Sequence, residues 1–255
     1  MNYTLEDFID IMNTLLGENG CPWDKEQTHE SLKKYLIEEC YEAVEAIDNR
    51  DMDNLCEELG DVLLQVVFHS VLAEKEGYFN TADVINGVSQ KMINRHPHVF
   101  GNATADSSEA VLKNWDAIKQ EEKQYKSQAD IINKIPKALP TLIRAEKVLK
   151  KIQKSKIIKG NLEKNLAFFI ENAKELEQAK KYNRDELVEK IGILLLSLIN
   201  ISLFLEINAD FSLTNALKTY INKFEYFENM STAVGKLNED TELEDVDVLK
   251  NIFMG

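Results

Sequence analysis

Between residues 38 and 61 the chain reads EECYEAVEAIDNRDMDNLCEELGD, which holds ten carboxylates. Seven of them fall in two tight groups: Glu38, Glu39, Glu42 and Glu45, then Glu57, Glu58 and Asp61. On a helical wheel Glu38, Glu42 and Glu45 lie within about 60°, and Glu39 about 60° beyond Glu42. Ile37, Cys40, Tyr41, Val44 and Ile47 take the other side. Glu58 and Asp61 are one turn apart on a second helix, among Leu59, Val62, Leu63, Val66 and Val67. A short connection makes the two helices antiparallel neighbours whose acidic edges can meet. Like charges one turn apart cost a helix a few tenths of a kcal/mol, and four or five carboxylates crowded between two helices cost far more unless cations neutralise them. A solvated acidic face explains any single Glu here. It does not explain Asp61, which sits on a helix apolar nearly all round, where an unpaired buried acid is expensive. Oxygen-only ligands suit Mg²⁺ or Mn²⁺ together with phosphate oxygens and water. A di-iron site would want Glu-x-x-His, and the second pair is Glu58-x-x-Asp61 with no His one turn away.

The elements that must hold these groups read as helices throughout. The 255 residues include only 10 Gly and 4 Pro, and 44% are hydrophobic, which favours an all-α chain with a sizeable core. Thr4 caps a helix to about Gly17, Thr28 one to about Asn49, and a third runs from the NRDMD break to about Gly77. Thr81 caps a helix ending near Arg95, and Ser107 or Ser108 one that reaches Lys126. Past SQADIINKIPKALP the pattern restarts, with helices at about 140–157, 161–182, 185–207, 212–229 and 241–253. LCEELGDVLLQVVF (55–68) aligns without gaps to LVEKIGILLLSLIN (187–200), pairing Leu55 with Leu187, Glu57 with Glu189 and Gly60 with Gly192. An internal duplication follows: residues 1–127, a connector at 128–139, and a second unit at 140–255.

A net charge of −14 is unsuited to nucleic acid polymers and to anionic lipid, although one nucleotide can bind if metal ions screen its phosphates. Cys21, Cys40 and Cys56 are odd in number and show no CxxC spacing, so no disulfide framework is indicated and a reducing compartment fits. MNYTLEDFID lacks the basic start and apolar run of a secretory leader, which points to the cytoplasm. The longest apolar run (191–207) carries Ser197, Asn200 and Ser202 and reads as a buried core helix, not a membrane anchor.

GCPWDKEQTHESL, Glu38-Glu39-x-x-Glu42 with Glu58-x-x-Asp61, RHPHVF and VLKNWDAIKQEEK together resemble the MazG family of nucleoside triphosphate pyrophosphohydrolases, over nearly the whole chain. The resemblance implies an all-α NTP pyrophosphatase fold in two tandem helical-bundle repeats, completed by a partner subunit in a homodimer. It implies Mg²⁺-dependent cleavage of NTPs between the α- and β-phosphates, with Mn²⁺ as a substitute. On that pattern Glu39, Glu42, Glu58 and Asp61 are metal ligands, and Glu38 is a further ligand or the base that activates water. Lys91, Arg95 and Lys119 match positions that reach the phosphates, and Trp115 the one that stacks on the base. Trp23 and Lys25 lie in a loop that closes the site or merely forms a structured turn. His96 and His98 read as shaping a turn, and His29 and His69 as belonging to no constellation.

The second half departs from the pattern. Lys190 stands opposite Glu58 and Ile193 opposite Asp61. By the family's spacing Phe168, Phe169 and Asn172 occupy the three Glu positions and Phe227 that of Arg95, while VDVLKNIF lacks a Trp like Trp115. Hydrolysis is therefore expected from the first repeat alone, with housecleaning of noncanonical nucleotides as its role. Two rivals remain: a non-catalytic helical module that senses nucleotides or binds a partner protein, and a dUTPase-like enzyme of the same superfamily.

Overall fold

A computed structural model describes residues 2–233 apart from 124, 126, 156, 158 and 159. Every regular element among the described residues is helical, as the low Gly and Pro content leads one to expect. The chain folds as two compact units, Met1–Lys123 and Gln124–Gly255.

The first unit holds α1 (Leu5–Leu15), α2 (Pro22–Lys25), α3 (His29–Asn49), α4 (Met52–Lys75), α5 (Thr81–Arg95), α6 (Pro97–Phe100) and α7 (Ser108–Lys123). Reciprocal capping boxes fix three helix starts: Thr4 with Asp7, Thr28 with Ser31, and Asn80 with Asp83. The cap of α5 is thus Asn80, one residue before the Thr81 that the sequence suggests, because the Asn80 carboxamide reaches the Asp83 amide at 3.0 Å. Arg50, in the left-handed region at φ 57°, ends α3, and Asp51 caps α4 one residue later. So abrupt a turn forces α3 and α4 into an antiparallel hairpin, the most extensive pairing in this unit. Their apolar seam meets α1 in a core of Met12, Leu16, Leu32, Val67, Phe68 and Val71. The Lys75 ammonium donates to the Leu16 carbonyl and ties the end of α4 to the end of α1.

The second unit holds α8 (Gln128–Asn133), α9 (Thr141–Lys154), α10 (Leu162–Leu176), a 3-10 turn at Ala179–Lys181, α11 (Arg184–Phe204) and α12 (Ala209–Ala233). Within the stretch read as a connector, α8 forms a helix and packs on α9. The expected helix at 241–253 lies outside the described residues. Again a consecutive pair, α10 and α11, packs together more extensively than any other in its unit. Asn200, inside the apolar run, accepts from the Gln153 carboxamide at 2.8 Å and donates to Asn165 at 2.6 Å, which fastens α11 to α9 and α10.

The expectation of a buried core helix at 191–207 is corrected here. Ser197, Ile199 and Ile201 are the buried residues of α11, while Ile191, Leu195, Leu196 and Leu198 are exposed. Of the described helices α11 is the one long and apolar enough to cross a membrane, by length and composition only. An apolar surface also runs along α3 and α4 through Ile37, Tyr41, Val44, Leu59 and Leu63.

Candidate functional site

The α3–α4 hairpin brings the two acidic edges together. Glu39, Glu58 and Asp61 each offer one carboxylate oxygen, and these oxygens all lie within 4.8 Å of one another. All three side chains are half-buried, whereas Glu38 and Glu42 are exposed. Burial pushes the Glu39 carboxyl above the ordinary range, and repulsion from Asp61, Glu42 and Glu58 adds to it. Glu58 is raised for the same reasons, burial first, then Glu42 and Asp61. Both shifts have the sign expected of carboxyls that are partly desolvated and crowded by like charges. An all-oxygen donor set under mutual repulsion, with no imidazole or thiolate among the three, fits a hard divalent cation. Glu42 stands outside the three-oxygen group but within electrostatic reach of Glu39 and Glu58.

A second constellation forms around the end of α5. Arg95 is buried, and its guanidinium donates to Glu122 through Nε at 3.1 Å and a terminal nitrogen at 2.5 Å. It also lies over the Trp115 ring, 5.3 Å from the centroid. The hydrogen bonds from Arg95 hold the Glu122 carboxyl below the usual range, with Lys123 and Lys91 contributing from nearby. Arg95 and Trp115 are thus neighbours and Lys91 lies within electrostatic reach of Glu122, but the Arg95 fork is already engaged by Glu122. Lys119 lies one turn past Trp115 on α7. His96 donates from Nδ1 to the Met92 carbonyl (2.6 Å) and meets Trp115 edge-on at 4.9 Å, so RHPHVF both turns the chain and packs the tryptophan.

The loop before α3 folds as a turn around α2. The Lys25 ammonium donates to the Glu18 carbonyl at 2.8 Å, which gives it a stapling task in its own loop. Trp23 is half-exposed and meets Tyr35 edge-on, with centroids 6.1 Å apart.

Sequence reasoning missed two features of the hairpin. His29 and His69, read as unrelated, form a stacked pair with Nδ1 atoms 2.7 Å apart. The signal was there: an antiparallel register that joins Glu39 to Asp61 brings residues near 29 and 69 together as well. The second feature is Gln65, one turn beyond Asp61 and only 5% exposed, whose Oε1 is buried with no hydrogen-bond partner. An orphaned buried carbonyl costs about 1–3 kcal/mol. A Gln inside an apolar run carries no sequence mark that separates it from a satisfied one.

Known proteins match this chain over much of its length. The family model described as "MazG nucleotide pyrophosphohydrolase domain" matches residues 27–100, which include every member of the acidic cluster along with Lys91 and Arg95. The nucleoside triphosphate pyrophosphohydrolase/pyrophosphatase MazG of Thermotoga maritima is 40% identical over 242 residues, 95% of this chain and 92% of that protein. The nucleoside triphosphate pyrophosphohydrolase of Escherichia coli K12 is 36% identical over 244 residues, 94% of this chain and 93% of its own. The uncharacterized protein YabN of Bacillus subtilis is 42% identical over 246 residues, and this chain spans 50% of its length.

Proposed function

The chain belongs to the MazG family, and from that premise we propose that its first unit is a divalent-metal-dependent nucleoside triphosphate pyrophosphohydrolase. The observation that carries the reading is the approach of Glu39, Glu58 and Asp61 within 4.8 Å, where burial first and mutual repulsion second raise the carboxyl pKa values of Glu39 and Glu58. Those three with Glu42 would hold Mg²⁺, or Mn²⁺ in its place. When bound, the cation neutralises phosphate charge and lowers the pKa of a water ligand. The chain's own groups do the rest. Glu38, exposed beside Glu39 and outside the three-oxygen group, accepts the proton of the attacking water. The new bond joins that oxygen to the α-phosphorus, the bond from the α-phosphorus to the bridging oxygen breaks, and pyrophosphate leaves with the electron pair. Lys91 and Lys119 supply positive charge to the phosphates, and Trp115, oriented by His96 and Arg95, offers a face to the base. For Arg95 to bind phosphate directly, Glu122 must release it.

A homodimer is part of this reading. Two apolar surfaces, on α3–α4 and on α11, stand exposed in their units. Gly60 and Gly192, matched in the alignment, have no atom within 4 Å of a Cβ position, so neither unit itself uses the helix-weakening glycine. A second subunit packed against these helices accounts for both. Nucleotide-pool housecleaning in the cytoplasm is the proposed setting.

The test is incubation with each NTP and dNTP plus Mg²⁺, with products resolved by anion exchange. NMP and pyrophosphate are expected. NDP and phosphate would reject the assigned bond. Nucleotide binding that persists undiminished in EDTA, with no turnover, would favour the rival sensing module.

A further inference from the structure

We propose that Gln65 is a specificity-determining residue: its buried carboxamide oxygen accepts a hydrogen bond from the base edge of the bound nucleotide. The proposal rests on the pyrophosphohydrolase reading above and adds the nucleoside end of that site.

The register of the hairpin places Gln65. Helices α3 and α4 meet at Glu39 with Asp61 and again at His29 with His69. Between these two crossings Gln65 lies four residues past Asp61, and Tyr35 lies four residues before Glu39. At 100° per residue Gln65 falls about 20° from Glu58 and about 40° from Asp61, inside the stripe that faces α3. It is displaced from Asp61 by about 6 Å along the helix axis. Tyr35 sits on the matching stripe of α3, and its ring meets Trp23. Moving along the hairpin from the carboxylates, α4 therefore presents an orphaned amide, with Tyr35 at the matching level of α3.

That order matches a nucleotide. Phosphates belong at the carboxylate end, and the nucleoside begins one sugar length beyond the α-phosphate. Stacking, assigned above to Trp115, is indifferent to base identity. An acceptor then selects for an N–H on the base edge, and a site that leaves its own polar atom unpaired without ligand discriminates strongly on binding. The second unit supplies a control from within the same chain. The residue aligned with Gln65 is Ser197, also buried, and its hydroxyl donates to the Leu194 carbonyl at 2.8 Å. The unpartnered polar group thus occurs in the unit with the acidic cluster, and its counterpart in the other unit is satisfied by its own helix. Among the described residues just one other buried side-chain polar atom lacks a partner, His98 Nδ1.

The experiment uses the full chain with Gln65→Met, which keeps length and volume, and Gln65→Leu as a second variant should the first fold poorly. Both remove an unsatisfied atom, so Tm should hold or rise by about 2–4 °C. KM for the preferred NTP should rise about tenfold with kcat within about threefold, and the differences in KM between bases should shrink, while Mn²⁺ binding by calorimetry stays unchanged. Equal losses for ribo- and deoxynucleotides support the base edge, and a loss confined to ribonucleotides would overturn it in favour of the 2′-hydroxyl. A folded variant with KM within about twofold of wild type overturns the proposal while leaving the pyrophosphohydrolase reading intact. Should wild type prove inactive, that reading fails by itself, and equilibrium binding of nucleoside monophosphates to wild type and Gln65→Met decides the role of Gln65 separately.

Discussion

The two units answer one electrostatic problem in opposite ways. In the first, α3 and α4 gather carboxylates whose partial burial and mutual repulsion raise Glu39 and Glu58. In the second, the residue aligned with Glu58 is Lys190, whose ammonium donates to Glu175 across the α10–α11 pair and lies 4.4 Å from the centre of the Tyr182 ring. The hydrogen bond to Glu175 raises the Lys190 pKa. A lysine raised in this way contributes stability that is complete below its ordinary value and is lost only as pH climbs through the folded one, so its ion pair is constant across neutral pH. The second unit carries its positive charge in the chain. The first gathers carboxylates, which the proposed divalent cation would neutralise.

The sharpest way to break this comparison is to write one unit's solution into the other. Glu58→Lys should abolish NTP turnover, by more than about 10³-fold, since it both removes a ligand and places an ammonium among the remaining carboxylates. Far-UV circular dichroism should be unchanged. Asp61→Ala should match it, and retention of about a tenth of wild-type activity in either variant would dissolve the proposed site. The converse double substitution, Lys190→Glu with Ile193→Asp, should not create turnover in an Asp61→Ala background, because Phe168, Phe169 and Asn172 supply no carboxylates from α10.

Cation binding sharpens the contrast at the level of stability. A ligand that binds the native state, present at about 100 times its Kd, adds about 2.7 kcal/mol. Hydrogen exchange should therefore slow in α3 and α4 on adding Mg²⁺ and speed on chelation, while α10 and α11 respond to neither. Equal protection of both hairpins would place the cation elsewhere.

Much of this was legible beforehand because it depends on spacing. Caps at Thr4 and Thr28, the break at residues 50–51 and the carboxylate periods all depend on local rules, and they suffice to build the α3–α4 hairpin and predict its acidic edge. What escaped depends on partners distant in sequence. The apolar run of α11 reads as buried because hydropathy reports composition and not what covers a face, and within the described residues little covers it. The resemblance puts Arg95 at a phosphate-contacting position, and its ion pair with Glu122, 27 residues later, has no local signal. Short helices such as α6 and α8 escape because one turn has no period to detect. Gln65 escapes because an unmade hydrogen bond leaves no trace in the sequence.

The smallest expected effect concerns the stacked histidines, which have no equivalent in the second unit: the residue aligned with His69 is Ile201. Burial lowers the His69 pKa, and the neighbouring His29 lowers it further. Its sign is that of a group that resists protonation when folded. Above the ordinary histidine range both states are neutral and nothing is lost. As pH falls below about 6.5, the unfolded chain takes up a proton that the folded pair resists, and stability declines until the depressed folded value is reached. His69→Phe keeps a ring against His29 and removes that titration. Thermal melts of wild type should therefore fall more steeply between about pH 7 and 5 than those of His69→Phe, with the two converging above about pH 7. Parallel curves would mean that His69 takes up its proton equally in the folded and the unfolded chain, and the 2.7 Å contact would then set the packing of the α3–α4 hairpin without making its stability depend on pH.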